Sequence, residues 1–361
     1  MYNFKSLRHI EGLDGIRLIA VGLVLLGHFG IPKVPGGLGV TIFFFLSGFL
    51  ITTLLFQEHA ENGRVAIGKF YIRRLLRLGP ELMGLVFLAT ILGFSLGRPP
   101  HFWDVASAAA YLSNYYGALL NLGFFSYTQP YWSHLWSLAV EEHYYLTYPL
   151  LFSWMIGSRS RAVGFFFVIL LGCLAWRTFL VVENVFPLTW TNPYTYMASE
   201  ARVDSIAYGA VLAFMAQRDG RLSTWIGHAC VAIGFALMLF TLVIRDDLFR
   251  ETIRYSLQGV AMMLIFAHLY LTRERSFLMP LLENPVMRIG GLLSYGAYLW
   301  HGEVLRVYEH FGLNLRSAGL PARAIGIPVG ITLTFLIAYI SYQLLARPAL
   351  RLRRRFGSHS V

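Results

Sequence analysis

The chain has 361 residues, of which 56% are hydrophobic and only 14% are charged, and its formal net charge is +11. About a quarter of the residues in a soluble globular domain are charged, so this composition excludes an ordinary soluble protein. Apolar runs of roughly 18 residues or more recur along the whole length and predict transmembrane helices. The sequence therefore predicts an all-α, polytopic transmembrane helix bundle.

The bundle is predicted to contain about ten spans. Their predicted ranges are 13–31, 37–57, 74–97, 134–156, 162–182, 201–217, 222–244, 252–271, 287–308 and 321–345. The stretch 105–120 is shorter and more polar, which favours a re-entrant or surface helix and leaves an eleventh span as the alternative. The first span follows Lys5 and Arg8 as a signal peptide would, but it lacks a small-residue cleavage site and contains Arg17 and His28. We therefore interpret it as a retained span.

The basic residues predict the orientation of the bundle. With both termini in the cytoplasm, ten spans place 19 of the 30 Lys and Arg residues in inner segments, as the positive-inside rule requires. The basic tail, 346–361, then lies against anionic lipid headgroups, and the net charge needs no nucleic acid to explain it. Cys173 and Cys230 both lie inside apolar runs, which argues against a disulfide framework or a zinc site.

Ionisable groups inside a membrane are costly, so each is a candidate functional residue. In the first span Arg17 and His28 lie eleven residues apart, on nearly the same helix face and about 16 Å apart along the axis. Histidine titrates near neutrality, so His28 is a candidate general base. The alternative role for His28 is a hydrogen bond between helices.

The third span opens with KFYIRRLLRLGPEL, which puts Arg73, Arg74 and Arg77 at its predicted cytoplasmic end. Arg74 and Arg77 share a helix face at the i,i+3 spacing. Arginine forks suit the phosphates of a cytosolic ligand, and the alternative is a simple anchor that fixes orientation.

The segment HLWSLAVEEHYY begins at His134 and leads into an apolar span. On a helix, the neighbours of Glu141 at the i±3, i±4 and i±7 positions are mostly polar and include His134 and Ser137, whereas those of Glu142 are mostly apolar. Glu141 is therefore predicted to join a buried polar stripe, with Glu142 nearer the interface.

Two other spans carry polar residues. Ser294, Tyr298 and His301 form an i, i+4, i+7 stripe that is predicted to point inward. Arg202 and Asp204 open the sixth span, and residues at i,i+2 do not face each other on a helix. Each is therefore predicted to have its partner elsewhere. The alternative to a functional role for these residues is a structural ion pair between helices.

The ten-span topology assigns a depth to each candidate. His28, Glu141 and His301 fall in the outer half of the membrane, while the arginines of the third span lie at the inner face. An anionic cytosolic ligand held by Arg74 and Arg77 would therefore need an extended arm to reach the outer group.

Six sequence motifs occur in order along the chain. They are GIRLIAVGLVLLGH, GVTIFFFLSGFLITTLL, FYIRRLLRLGP, HLWSLAVEEHYYLTYPLL, ARVDSIAYGA and LSYGAYLWH. In this order and spacing the chain resembles the acyltransferase-3 family of membrane acyltransferases over residues 13 to about 348.

The resemblance implies one transmembrane domain over 1–361 that moves an acyl group, commonly acetyl, from cytosolic acyl-CoA to a hydroxyl. The acceptors in the family are mostly sugars of cell-envelope polysaccharides, sometimes lipids. The resemblance implies that His28 takes the acceptor proton and that Glu141 orients or charges its imidazole. The other site residues predicted on this basis are Arg17, Arg73, Arg74 and Arg77 for the acyl-CoA, and Trp136, Ser137, Tyr298 and His301 for the acceptor.

The predicted location is the plasma (inner) membrane, with membrane lipids as surroundings, no metal and no nucleic acid. The oligomeric state is left open, with a homo-oligomer as one option.

The chain departs from the family pattern in two ways. The family often has Glu-x-Pro near the end of its last span, whereas this chain has Ala346-Arg347-Pro348. A fused extracytoplasmic esterase-like domain, present in some members, is not expected here, so a second transfer step would need a partner.

The alternative function is a secondary transporter of an anionic solute that uses the same charges along its pathway. The lack of an inverted repeat disfavours it. A receptor or scaffold would leave the buried histidine and glutamate unexplained. For an acyltransferase, two mechanisms stay open: direct transfer to the acceptor and transfer through a covalent acyl-histidine.

Overall fold

The computed structural model describes residues 10–123, 130–185, 193–217, 222–272 and 274–356. These residues form helices and connecting turns, with one isolated bridge between Leu222 and Thr272, so the all-α prediction is confirmed. Some basic residues used in the charge count lie outside the described residues. They are Lys5, Arg8, Arg218, Arg221 and Arg273, and the last part of the basic tail, 357–361, lies outside as well.

The described residues form α-helices that we number in chain order. They are α1 Leu13–His28, α2 Gly36–Asn62, α3 Ile67–Ser95, α4 Phe102–Ala109, α5 Ser113–Asn121, α6 Trp136–Met155, α7 Arg159–Val182, α8 Pro193–Met197, α9 Ser199–Ala216, α10 Thr224–Val243, α11 Asp247–Glu251, α12 Arg254–Leu271, α13 Met279–Leu282, α14 Pro285–Leu292, α15 Ser294–His310, α16 Leu320–Ser341 and α17 Arg347–Arg353. A π-helix, Tyr342–Ala346, joins α16 to α17, and 3-10 turns form at Ser133–Leu135 and Arg354–Phe356.

Five helical segments of the described chain are long and apolar enough to cross a membrane. They are Gly36–Asn62, Ile67–Ser95, Arg159–Val182, Thr224–Val243 and Leu320–Arg353. The other predicted spans coincide with shorter or more polar helices: α1 has 16 residues and α15 has 17. Helices of that length measure about 24–26 Å, less than the roughly 30 Å of a hydrocarbon core. A membrane protein is supported, and the count of about ten spans stays a prediction.

Two predicted segments are interrupted. The ninth span is broken between α14 and α15, where a Cβ on Gly291 would lie 2.0 Å from the carbonyl oxygen of Asp14. The stretch 105–120 is divided between α4 and α5, which have 8 and 9 residues. Neither α4 nor α5 is long enough to cross a bilayer, so an eleventh span through 105–120 is not supported.

The chain divides into two compact units. The first holds the described residues of 41–67 and 111–279, and the second holds those of 10–40, 68–110 and 280–356. In the first unit α10 packs along α12, and both α7 and α12 pack on α9. In the second unit α1 packs on α14 and α15, and α15 packs along α16.

Glycines let α2 and α9 approach closely inside the first unit. A Cβ on Gly48 would lie 1.9 Å from the carbonyl oxygen of Ile206, and one on Gly209 would lie 2.0 Å from that of Phe45. Small residues at such crossings allow membrane helices to pack backbone to backbone. The glycines of the LSGFL and AYGA motifs therefore have a packing role.

Candidate active site

The second unit brings together two of the predicted histidines. His28 is the last residue of α1, and His301 lies in the middle of α15. The Nδ1 atom of His28 lies 2.7 Å from Nε2 of His301, and the two rings stack with their centroids 4.9 Å apart. The Nδ1 atom of His301 lies 2.6 Å from the carbonyl oxygen of Tyr298, one turn earlier on α15. His301 itself is buried, with 1% of its surface exposed.

When both imidazoles are neutral, this chain of contacts sets their tautomers. A carbonyl oxygen only accepts hydrogen bonds, so Nδ1 of His301 donates to Tyr298 and its Nε2 carries a lone pair. That lone pair accepts from Nδ1–H of His28. The Nε2 atom of His28 is therefore left unprotonated, and among the described residues it has no hydrogen-bond partner. A nitrogen held in this way can take a proton from a substrate.

The second unit also contains a buried carboxylate, that of Glu81. Glu81 follows Pro80 in α3, is 4% exposed and accepts a hydrogen bond from Ser341 at 3.0 Å. A Cβ on Gly296 of α15 would lie 3.1 Å from the same Glu81 oxygen. Gly296 precedes His301 by five residues, so Glu81 lies about 8 Å from the histidine level along α15.

The predicted arginine cluster lies one helical turn before that carboxylate. Arg77 interacts electrostatically with Glu81 and, with Arg73 and Arg74, is half-buried in the first turns of α3. Arg73 also donates to the carbonyl oxygen of Phe356 at 3.3 Å. Adding one turn to the 8 Å above puts Arg77 about 14 Å from His28 along the helices.

Arg17 lies near the start of α1, as predicted. Its Nη1 atom donates to Asp14 at 2.6 Å, and the two side chains are 14% and 19% exposed. Its charge is therefore compensated locally, a contact that the Arg17–His28 spacing did not reveal. A direct role toward acyl-CoA stays a prediction.

The first unit contains part of the predicted stripe on α6, but Glu141 and Glu142 are both half-buried, so burial does not separate them as predicted. The side chains of Ser137, Tyr144 and Tyr148 are all buried. Glu141 accepts a hydrogen bond from Ser47 of α2 at 2.8 Å. The hydroxyls of Tyr148 and Thr52 lie 2.7 Å apart, also between α6 and α2. A polar seam therefore runs between these two helices and includes Glu141.

Trp136 belongs to an aromatic cage. The buried guanidinium of Arg202 lies 3.9 Å from the ring centroid of Tyr255 and 5.6 Å from that of Trp136. Phe44 and Tyr196 complete the cage, at 5.5 and 5.3 Å. Cation–π attraction is strongest where water is excluded, so Trp136 has a structural contact that its motif alone did not predict. Its predicted role toward an acceptor stays a prediction, as does that of Ser137.

Asp204 has its partner on another helix, which confirms the expectation from the i,i+2 spacing. Nη2 of Arg177 in α7 lies 2.7 Å from Asp204, and both side chains are fully buried. The remaining nitrogens of Arg177 donate to the carbonyl oxygens of Thr252 and Ala201, and Nη2 also donates to Ser256. All three guanidinium nitrogens are bonded, so this network braces α7, α9 and α12.

Three contacts were missed by sequence reasoning. The His28–His301 contact joins residues 273 positions apart, and no periodicity within one helix can report such a pair. Ser47 likewise has no spacing relation to Glu141. Glu81 could have been noticed, since it is a single carboxylate one turn after Arg77 at the start of an apolar run. Within the described residues no group of three or more His, Cys, Asp or Glu side chains is arranged to hold a metal ion.

Fold and site together describe an all-helical membrane protein whose second unit holds a histidine pair suited to proton transfer. The family follows from comparison: the acyltransferase-domain model matches residues 10–343, through both units. The chain belongs to the acyltransferase-3 family.

Two Staphylococcus aureus relatives illustrate the similarity. O-acetyltransferase OatA of strain NCTC 8325 is 27% identical over 357 residues, which cover 95% of this chain and 57% of the relative. A protein of strain COL, whose name gives O-acetyltransferase as a provisional assignment, is 26% identical over 364 residues and is covered to 58%. The chain thus spans a little over half the length of these relatives. No solved structure gives a significant match to the chain.

Proposed function

We propose that the chain is an integral-membrane O-acyltransferase that moves an acetyl group from cytosolic acetyl-CoA to a hydroxyl of a cell-envelope glycan or glycolipid. The observation that carries the proposal is the relay from Tyr298 through His301 to His28, which leaves one imidazole nitrogen free. Family membership and relatives named as O-acetyltransferases support the reaction type. A plasma-membrane location with both termini in the cytoplasm is part of the proposal and rests on the charge distribution.

In the proposed reaction, Nε2 of His28 takes the proton of the acceptor hydroxyl. The hydroxyl oxygen attacks the thioester carbonyl carbon, a C–O bond forms, and the C–S bond of the donor breaks. The CoA thiolate then leaves with the proton that His28 accepted, which regenerates the neutral imidazole. His301 accepts the Nδ1–H bond of His28 throughout and so stabilises the imidazolium and fixes its ring orientation.

The donor end is proposed to lie at Arg73, Arg74 and Arg77. Guanidinium groups bind phosphates in a bidentate manner, and Arg77 is separated from His28 by about 14 Å along the helices, with Arg74 and Arg73 about one turn further away. The pantetheine arm of CoA is an extended thread that ends in the thioester, which suits a separation of this kind.

Glu141 is proposed as a second catalytic group, as its motif implies. Its carboxylate accepts a hydrogen bond from Ser47 of α2. The adjacent Glu142 provides a matched control for it: Glu141→Gln should abolish most transfer, whereas Glu142→Gln should retain most of it.

The test uses inside-out membrane vesicles that contain the full chain. A panel of glycans is enclosed in the vesicle lumen, which the extracytoplasmic face borders, labelled acetyl-CoA is added outside, and mass spectrometry maps acetyl esters on the glycans. The proposal expects glycan acetyl esters that depend on His28 and Glu141 and not on Glu142. Labelled solute inside the vesicles, with no ester on any glycan, would instead indicate a transporter and overturn the proposal.

A further inference from the structure

Two arginines lie against the turn that follows His28. The turn contains Gly30, whose φ of +90° is the left-handed conformation that glycine adopts without strain. A Cβ on Gly30 would lie 3.1 Å from Cγ of Arg316 and 3.2 Å from its Cα. Nη2 of Arg323 donates to the carbonyl oxygen of Gly30. Both arginines are therefore held beside the end of α1, two residues beyond the proposed base.

These arginines carry charge that no acidic side chain balances in the described part of the chain. Arg316 is exposed, and Arg323 is half-buried with the Gly30 carbonyl as its side-chain partner. In contrast, Arg306 on α15 is paired with the buried Glu303. Arg316 also interacts electrostatically with the imidazole of His28. A surface of this kind attracts an anion.

The pair is remote from the arginines proposed to hold CoA. Arg323 lies in the first turn of α16, and Ser341, the partner of Glu81, is its last residue. Eighteen residues separate the two, or about 27 Å of helix. Glu81 lies one turn from Arg77, so the two arginine groups occupy opposite ends of α16 with the histidines between them. In the proposed topology Arg316 and Arg323 are extracytoplasmic, where the positive-inside rule disfavours basic residues that have no function.

We propose that Arg316 and Arg323 form an anion-recognition site for a negatively charged group on the acceptor, such as a carboxylate or phosphate borne by a sugar. The inference rests on the proposed function and specifies the acceptor as an acidic glycan or glycolipid. Arg323 is fixed by Gly30, while the guanidinium of Arg316 can form a bidentate pair with the anion. Binding the anion there would present a neighbouring sugar hydroxyl to Nε2 of His28.

The test measures binding rather than turnover, so it does not depend on acetyl transfer. The full chain is placed in phosphatidylcholine nanodiscs at low ionic strength, with an oligogalacturonate and its fully methyl-esterified form as probes. We expect the acid to bind at least tenfold more tightly than the ester, and the Arg316→Gln/Arg323→Gln variant to lose that preference. Equal affinity for acid and ester, or an unchanged preference in the double variant, would overturn the proposal.

Two controls separate the site from general charge and from misfolding. Arg98→Gln removes another exposed arginine of the second unit and should leave the preference intact. Arg316→Lys/Arg323→Lys keeps the charge and should retain part of the preference. If Arg98→Gln also abolishes it, the effect is non-specific and the proposal fails.

A lipid headgroup carries the same phosphate chemistry as an acidic acceptor. The second part of the experiment therefore changes the lipid of the nanodisc. This comparison is made at 0.15 M salt, where the Debye length is about 8 Å and general repulsion by the bilayer is screened, and we expect phosphatidylglycerol in the nanodisc to lower affinity for the oligogalacturonate by less than twofold. Loss of the acid preference in phosphatidylglycerol would show that headgroups occupy the site and would contradict the assignment to the acceptor. If the acid preference is present while no glycan is acetylated, the proposed reaction fails and the anion site stands.

Discussion

The two units hold buried polar groups of opposite character. In the first, all three nitrogens of Arg177 are bonded to Asp204, Ser256 and two backbone carbonyls. In the second, His28 and His301 form a chain that starts at a backbone carbonyl and ends in a free ring nitrogen. Both arrangements lie among apolar helices, where unsatisfied polar groups are costly. We call the first network closed because every guanidinium nitrogen of Arg177 is bonded, although Oδ1 of Asp204 has no hydrogen-bond partner among the described residues; it is suited to stability. The second, open arrangement keeps a ring nitrogen available for chemistry.

This difference corrects a simple rule for reading membrane sequences. An ionisable residue in an apolar run is a functional candidate, yet Arg177 and His28 meet that criterion equally and differ in what their neighbours leave unbonded. Substitutions in the first network should therefore affect folding, and substitutions in the second should affect turnover.

The largest effect is expected from Arg177→Met. This change leaves the buried Asp204 carboxylate without its cation, which costs about 3–5 kcal/mol in comparable buried pairs. We expect little folded protein in a detergent thermal-stability assay. Arg177→Met/Asp204→Leu removes both charges and should recover much of the stability. If the double variant is no more stable than the single one, the pair is not what braces these helices.

A smaller effect, on turnover alone, is expected from His301→Ala. The substitution removes the acceptor for Nδ1–H of His28, so the base loses its fixed ring orientation. Initial-rate measurements should show kcat lower by about a hundredfold, with an altered pH–rate profile and a thermal midpoint near wild type. His301→Gln offers an acceptor oxygen and should recover part of the rate. Equal losses of rate and stability would instead assign His301 to the closed, structural class.

Substitution of the α3 arginines should have a still smaller effect, which falls on the KM for acetyl-CoA. Arg74→Gln or Arg77→Gln should raise KM for acetyl-CoA about tenfold, because each removes charge-assisted hydrogen bonds to phosphate. Arg73→Gln should raise it less, since Arg73 already donates to the carbonyl oxygen of Phe356. The comparison is made by varying acetyl-CoA at fixed acceptor; an effect on acceptor KM alone would contradict the donor assignment.

The smallest effect is expected in a second closed network of the first unit. The hydroxyl of Tyr115 donates to Glu200 at 2.7 Å, and burial, followed by that carboxylate, raises the pKa of Tyr115 to about 12. The unfolded phenol titrates near 10, so the hydrogen bond stabilises the fold fully below pH 10 and is lost as pH rises through 12. Tyr115→Phe should cost about 1 kcal/mol of unfolding free energy, constant between pH 6 and 9. A cost that varies across that range in denaturation experiments would argue against a neutral donor.

Local spacing was enough to predict most helices and their polar faces. Arg17 and His28 lie on one helix, Arg74 and Arg77 on another, and Asp204 has its partner elsewhere, as its i,i+2 spacing from Arg202 requires. The break at Leu293 was not predicted from hydropathy, and neither was the close approach of Gly291 to the backbone of α1 two residues before it.

The site was predictable only as separate candidates. Which nitrogen of His28 is free depends on His301 and on the carbonyl of Tyr298, and neither contact is encoded in a helical period. The aromatic cage of Arg202 gathers Phe44, Trp136, Tyr196 and Tyr255 from distant parts of the sequence. Such long-range contacts are products of tertiary packing, and a single sequence does not display them.

The central claim is that Nε2 of His28 is the base for acyl transfer. It is tested most directly by the rate of acetyl-ester formation for wild type and His28→Gln, in vesicles with matched amounts of folded protein. The proposal predicts a loss of at least about a thousandfold for His28→Gln, with acetyl-CoA binding unchanged. A variant that forms acetyl esters at a rate within tenfold of wild type would contradict it.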